Sequence, residues 1–187
     1  MAAPQQEEEE APGFLHHSEP WTERDWLALP ESPNVELVDG ALVMSPSGRP
    51  RHGVLIFRLC AVLDAAAPPE QRVLTEPNLR LAPDRVLIPD VALVAGTTDL
   101  DAMIDDASLA VLVIEVVSPG NAAYDRMLKP RLYAEAGIRW YLRVEQEGPV
   151  GHLHELVDGA YREVARGPVV ELAEPFHATL DLPHLAR

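Results

Sequence analysis

Two carboxylates and one amine are the groups in this sequence best suited to chemistry. Asp90 lies in the apolar run Val-Leu-Ile-Pro-Asp-Val-Ala-Leu-Val, and Glu115 lies in Leu-Val-Ile-Glu-Val-Val. A carboxylate inside such a run is expensive to bury unless it is paired or bound to a metal. Two of them on neighbouring buried strands can share one hard cation, typically Mg²⁺, through oxygen ligands. For either one alone, a salt bridge to an arginine is the competing explanation. Lys129 is the only lysine among fifteen cationic residues. Arginine holds its charge, whereas lysine is a compact point charge that can lose its proton when buried. That suits orienting a water or stabilising charge at phosphorus. Asp125, four residues earlier, can pair with Lys129 along a helix face, with a simple surface ion pair as the alternative.

These residues need elements to hold them. Thr22 with Asp25 reads as a capped start to a short helix, stopped by Pro30 and Pro33. Val35–Ser45 holds two alternating runs joined by Asp39-Gly40, a hairpin signal. Residues 51–66 have helical apolar spacing and end before Pro68-Pro69. Three strands follow, at 72–81, 84–95 and 109–118, the last apolar and β-branched as expected of a strand buried on both faces. Pro89 requires an edge or a bulge, which would re-aim Asp90. Between the last two strands runs an acidic stretch, 96–108, expected to be a solvated loop. Residues 121–136 read as a helix capped by Asn121 and ended by Gly137, then a strand at 138–145. A second Asp-Gly hairpin spans 150–166 and repeats the string ELVDGA of 36–41 as 155–160. Such a string arises cheaply as turn chemistry, so Glu36 gains no functional weight from its local sequence.

Length and composition bound the rest. The chain of 187 residues suits a single domain over 20–187, preceded by an acidic tail at 1–19 expected to be disordered. His16 and His17 fall in that tail and are expected to be mobile. One cysteine, Cys60, excludes an intramolecular disulfide and a cysteine-built zinc site, and its helical apolar setting marks it as a small core residue. No apolar run approaches membrane-spanning length, and no basic leader marks secretion, so a cytoplasmic protein with no membrane partner is expected. His152 and His154 alternate to one face of a strand without a third ligand in view, which disfavours a zinc site. The net charge of −15 opposes non-specific nucleic-acid binding, which depends on neutralising phosphates. Any such contact must be local, metal-assisted or made by a dimer groove.

Taken in order, Pro89-Asp90, Glu115-Val116-Val117-Ser118, Asp125 with Lys129, and Tyr133 with Gly137-Ile138 form a pattern. It resembles the Uma-two restriction endonuclease family of the PD-(D/E)XK nuclease superfamily. The similarity extends to ELVDG near the start and to Arg51-His52, so it covers about Glu36 to Val144. It implies a restriction-endonuclease-like fold: an α/β (α+β) domain with a central mixed β-sheet flanked by helices, and β-hairpins towards both ends. It also implies that Asp90 and Glu115 are metal ligands with the Val116 carbonyl as a further one. Lys129 becomes the catalytic base and Glu36 a further acidic member. His52 is an accessory, with a capping or core role the alternative. In the wider superfamily the lysine follows the glutamate by two residues. That position is Val117 here, so the lysine must come from the helix.

The implied activity is Mg²⁺- or Mn²⁺-dependent hydrolysis of DNA phosphodiester bonds, with a homodimer expected. Two other readings stand beside it: a non-catalytic interaction module that keeps the nuclease fold, and a metal-dependent hydrolase of a small phosphorylated substrate. The aromatic residues Tyr124, Tyr133, Trp140 and Tyr141 are expected to pack the helix on the sheet, since no base-stacking platform is evident.

Overall fold

The computed structural model describes residues 19–29, 34–44, 48–96, 99, 101–117 and 124–187. The expected disordered tail with His16 and His17, the Pro30 and Pro33 stop, and the Asn121 cap lie outside them. The elements in chain order are α1 (Glu23–Leu27), β1 (Val35–Val38), β2 (Ala41–Met44), α2 (Pro50–Ala66), β3 (Gln71–Thr75), β4 (Leu79–Ala82), β5 (Arg85–Leu87), β6 (Val91–Ala95), β7 (Asp105–Asp106) and β8 (Ala110–Val117). A π-helical turn (Tyr124–Leu128) leads into α3 (Lys129–Glu135). Then come β9 (Trp140–Glu145), β10 (Val150–Val157), β11 (Ala160–Gly167), β12 (Val169–Leu172), β13 (Ala178–Asp181) and α4 (Leu182–Leu185).

The central sheet is mixed and six-stranded, in the order β11-β10-β9-β8-β6-β3. Its single parallel pair is β8 with β9, and the chain between them carries α3, because parallel neighbours need a crossover. β8 occupies the interior position its β-branched sequence demanded, and its residues Leu112–Val117 are buried without exception. Its alternation sorts two cores. Leu112, Ile114 and Val116 face Leu55, Ile56, Leu59 and Leu63 of α2. Val113 faces the other way, with Leu132 and Tyr133 of α3. Period-2 geometry puts Glu115 on the α3 side with Val113.

A second sheet, β2-β1-β5-β4-β7, closes over that α3 side, with Leu79 and Leu87 sharing the Val113 core. α1 packs beside it through Trp26, whose Nε1 donates to the Val35 carbonyl. A small β12–β13 hairpin and α4 complete the α2 side. No helix among the described residues is long and apolar enough to cross a membrane.

Both Asp-Gly hairpins form, each with two consecutive residues at positive φ: Asp39 and Gly40, then Asp158 and Gly159. The Thr22–Asp25 capping box is present. Four expectations need correction. The stretch 84–95 is two strands, not one: β5 belongs to the second sheet and β6 to the central one, broken at Ile88-Pro89-Asp90. Pro89 lacks the N–H a continuous ladder would need. Asp90 therefore stands in this break, immediately before β6. The stretch 72–81 is likewise split into β3 and β4 around Pro77. The acidic stretch 96–108 is not wholly a loop, since Asp105–Asp106 pair with β4. Lastly, the helix after Glu115 is π-helical over its first described turn. Pro130 cannot donate to the carbonyl four residues back, so a regular α ladder cannot pass through this point.

Candidate active site

The elements converge on Lys129. It is the first residue of α3, it is 5% exposed, and its ammonium is held by three oxygens from three places. Nζ lies 3.0 Å from Glu115 Oε1 on β8, 3.1 Å from Glu36 Oε1 on β1, and 3.1 Å from the Ile88 carbonyl. The two carboxylates, each 2% exposed, come from different sheets, so Lys129 bridges the layers. Ile88 contributes twice, because its N–H donates to Glu36 Oε1 at 2.8 Å. Glu115 Oε1 also receives the Tyr133 hydroxyl at 2.6 Å. Tyr133 is one helical turn beyond Lys129, which places both on one face of α3.

The local charges are unbalanced. Burial raises the Glu115 carboxyl well above the ordinary range, and the charges of Asp90 and Asp125 add to the effect against Lys129. Burial alone would lower the Lys129 ammonium, but Glu115, Glu36, Asp90 and Asp125 together hold it well above its ordinary value. One cation thus faces a surplus of acids, so the amine keeps its charge and the surplus proton affinity falls on Glu115. The Tyr124 ring lies 5.7 Å from Nζ, and burial followed by the Glu36 charge raises its phenol. Among the described residues neither the buried Tyr124 hydroxyl nor the buried Glu36 Oε2 makes a well-formed hydrogen bond, although the Glu36 carboxylate lies close enough to act on the phenol as an acceptor.

Asp90 stands at the neighbouring end of β8 and is the more open acid, its side chain 16% exposed. Its Oδ2 accepts the Val116 N–H at 2.6 Å, and its Oδ1 lies 3.1 Å from His52 Nε2 on α2. That hydrogen bond raises the His52 pKa, against burial. Gln146, just past β9, donates through Nε2 to the Val117 carbonyl and approaches His52 Nδ1 at 3.1 Å.

Lys129, Glu115 and Glu36 therefore meet directly. Asp90 and His52 form an adjoining pair, joined to the first group through β8 and through charge. Val116 meets Asp90 through its N–H. Asp125 and Lys129 are both buried, so a surface Asp125–Lys129 pair is overturned, and the Asp125 charge acts on the ammonium from within the fold. Its own carbonyl accepts the Tyr141 hydroxyl, tying the π-helical turn to β9. His152 pairs with Glu163, and His154 lies tilted against Tyr141 with its edge towards Tyr161. Cys60 is partly buried beside the α2 core, and burial pushes its thiol up to about 11. Tyr133 and Tyr141 do pack α3 on the sheet, yet Tyr133 also bonds Glu115, and Trp140 lies instead in the core on the α2 side. Sequence reasoning missed that bond, the Tyr124 contact and Gln146. The spacing of Tyr133 from Lys129 was a usable signal for the first, whereas nothing local marks Gln146.

Among the described residues no three His, Cys, Asp or Glu side chains gather as a ready-made metal cage. The donor chemistry nevertheless fits a hard cation. Magnesium usually takes one or two carboxylates and completes its shell with water and substrate phosphate. Asp90 is partly exposed to solvent, and among the described residues no donor makes a well-formed hydrogen bond to the buried Glu36 Oε2.

A similar fold occurs in a solved protein, described as a "putative nuclease belonging to DUF820" from Anabaena variabilis ATCC 29413. It superposes with a TM-score of 0.73 at 17% identity, over 90% of this chain and 100% of that one. At that identity the likeness concerns the fold. No curated protein matches the chain. The sequence family Uma2, described as "Putative restriction endonuclease", matches residues 23–184, a span that takes in both sheets and each acidic residue around Lys129. With a match of that extent, the chain belongs to the Uma2 family.

Proposed function

We propose that the chain is a metal-dependent nuclease hydrolysing DNA phosphodiester bonds at the Asp90–Glu115–Lys129 site. The observation that carries this reading is the buried Lys129 ammonium, bridging Glu115 and Glu36 from two sheets beside a solvent-reachable Asp90. A buried cation among surplus carboxylates is costly to fold, and strongly shifted groups of this kind concentrate at functional sites.

Asp90 and Glu115, with the Val116 carbonyl, would hold Mg²⁺ or Mn²⁺, and Glu36 would supply further negative charge. When bound, the ion supplies positive charge at the scissile phosphate and acidifies a water. Lys129 is an ammonium in the arrangement described. Its first role is therefore to orient the attacking water and stabilise charge at phosphorus. It could accept a proton only once its carboxylate partners are engaged elsewhere. Tyr133 holds Glu115 by its hydroxyl, and the Val116 N–H with His52 holds Asp90.

The test is cleavage of plasmid and single-stranded DNA with Mg²⁺ or Mn²⁺. Cleavage by the native chain, lost on chelation and in Asp90→Ala, Glu115→Ala and Lys129→Ala, is the expected result. Removing a metal ligand or a charge-stabilising group should cost at least 10²-fold. The net charge of −15 favours one other reading, hydrolysis of a small phosphate ester, which an acidic surface obstructs less. A native chain that cleaves a small phosphodiester and no DNA would select it. A chain that neither cleaves nor binds metal would leave only an interaction module with a nuclease fold.

A further inference from the structure

Gln146 closes a hydrogen-bonded circuit that fixes where the proton of His52 sits. Its Nε2 lies 2.9 Å from the Val117 carbonyl at the end of β8. A carbonyl only accepts, so the amide atom facing it is the NH₂ group and not the oxygen. The same nitrogen lies 3.1 Å from His52 Nδ1. With two N–H bonds it serves both partners, and Nδ1 must then present its lone pair. In a neutral imidazole the hydrogen therefore sits on Nε2, the nitrogen 3.1 Å from Asp90 Oδ1. The second Asp90 oxygen takes the Val116 N–H at 2.6 Å, back on β8. Each donor in the circuit from β8 through Gln146, His52 and Asp90 to β8 meets an acceptor.

We propose that Gln146 is a positioning residue for Asp90, acting through the Nε2–H tautomer of His52. The inference rests on Asp90 being a metal ligand, as argued above. Two donors, one on each oxygen, hold the Asp90 carboxylate in its orientation. Without the amide, the ring can carry its hydrogen on Nδ1 and turn the Nε2 lone pair on Asp90 Oδ1. A lone pair facing a carboxylate repels it and frees the side chain to rotate. Glutamine suits the position because glutamate, of the same shape, offers Nδ1 an acceptor and inverts the assignment. Residues that orient metal ligands in this way typically change metal affinity about 10–100-fold when altered.

The test uses the full chain with ¹⁵N-labelled imidazoles, in alkaline buffer where the ring is neutral. His52→Asn identifies the His52 signals among the seven histidines. The expected wild-type spectrum has a pyrrole-type Nε2 and a pyridine-type Nδ1. Gln146→Glu should move the hydrogen to Nδ1, and Gln146→Leu should give a mixture of tautomers. Unchanged signals from the other histidines report that each variant is folded. Mn²⁺ affinity by calorimetry should fall about 10–100-fold in Gln146→Glu and less in Gln146→Leu. A wild-type His52 carrying its hydrogen on Nδ1 overturns the proposal. So does a tautomer unmoved by Gln146→Glu, or a moved tautomer with Mn²⁺ affinity unchanged. A wild type that binds no Mn²⁺ but shows the expected tautomer, shifted in Gln146→Glu, removes the metal reading and upholds the control of His52 by Gln146.

Discussion

Lys129 and Glu115 share a proton balance set by burial, and that balance makes a prediction at the scale of single residues. Both groups have folded-state pKa values raised above their ordinary ones. A raised group stabilises the fold below its unfolded pKa and loses that contribution as pH rises through its folded pKa. For Glu115 the loss begins above about 4.5, the ordinary value, and continues to its raised pKa. For Lys129 it begins only above 10.5. Of these two groups, only Glu115 contributes a downward slope between those limits. Glu115→Gln cannot ionise and should remove it. In urea unfolding of the metal-free chain, the stability of the variant relative to wild type should climb as pH rises above about 4.5 and level off once the raised pKa of Glu115 is passed. A difference independent of pH would show that Glu115 is ionised throughout. His52 and Gln146 belong to the same scale, and they were legible unequally. His52 stood beside Arg51 in a family pattern, whereas Gln146 sits in Glu-Gln-Glu-Gly, which reads as an ordinary turn. Its role comes from the approach of α2 to the ends of β8 and β9, a contact no local pattern encodes.

At the scale of elements, legibility followed how local the determining physics was. Asp-Gly turns, the Thr22 cap and the apolar length of β8 each depend on a few adjacent residues, and all three were readable. Splitting 84–95 between two sheets depends on what lies across the gap, so sequence marked the break at Pro89 but not its scale. The β12–β13 hairpin escaped notice because Ala173–His177 between its strands offers no Asn-Gly or Asp-Gly signal. That hairpin leans on Gly151 of β10. A Cβ there would stand 2.5 Å from Val170 Cγ2 and 3.0 Å from Leu182 Cδ1. Both are side-chain ends in a packed core, so they must shift together. Gly151→Ala should destabilise the fold by about 1–3 kcal/mol, the usual cost of overpacking. Denaturant unfolding measures it, and His52 signals unchanged from wild type would show the effect confined to the α4 side. A variant as stable as the parent would mean that this layer yields easily.

For the whole molecule the governing quantity is charge. Much of the arginine is spent internally: Arg80 on Glu23, Arg85 on Asp39 and Glu135, Arg126 and Arg143 on Glu145, Arg139 on Glu155 and Glu174. Arg49 and Arg51 differ. They flank the start of α2 beside His52, both exposed, with no carboxylate partner among the described residues. If these two supply the phosphate contacts of the proposed nuclease, the logarithm of DNA affinity should fall with that of salt concentration with a slope near −2, from about 0.9 per phosphate neutralised. Arg49→Ala with Arg51→Ala should flatten the slope while leaving Mn²⁺ affinity intact. A slope steeper than about −5 would require a larger basic surface than these two residues provide. The peptide of Ile88 adds a different kind of constraint. Its N–H serves Glu36 and its carbonyl serves Lys129, within the three residues that carry the chain from β5 to β6. Those three residues act as a gauge block between the sheets. The side chain of Ile88 can be exchanged, but inserting or deleting one residue would rotate its N–H and carbonyl away from both partners and slide Asp90 past Val116. In any lineage of such proteins, the segment from Leu87 to Val91 should resist changes in length even at the positions, such as Ile88, where it tolerates changes of side chain.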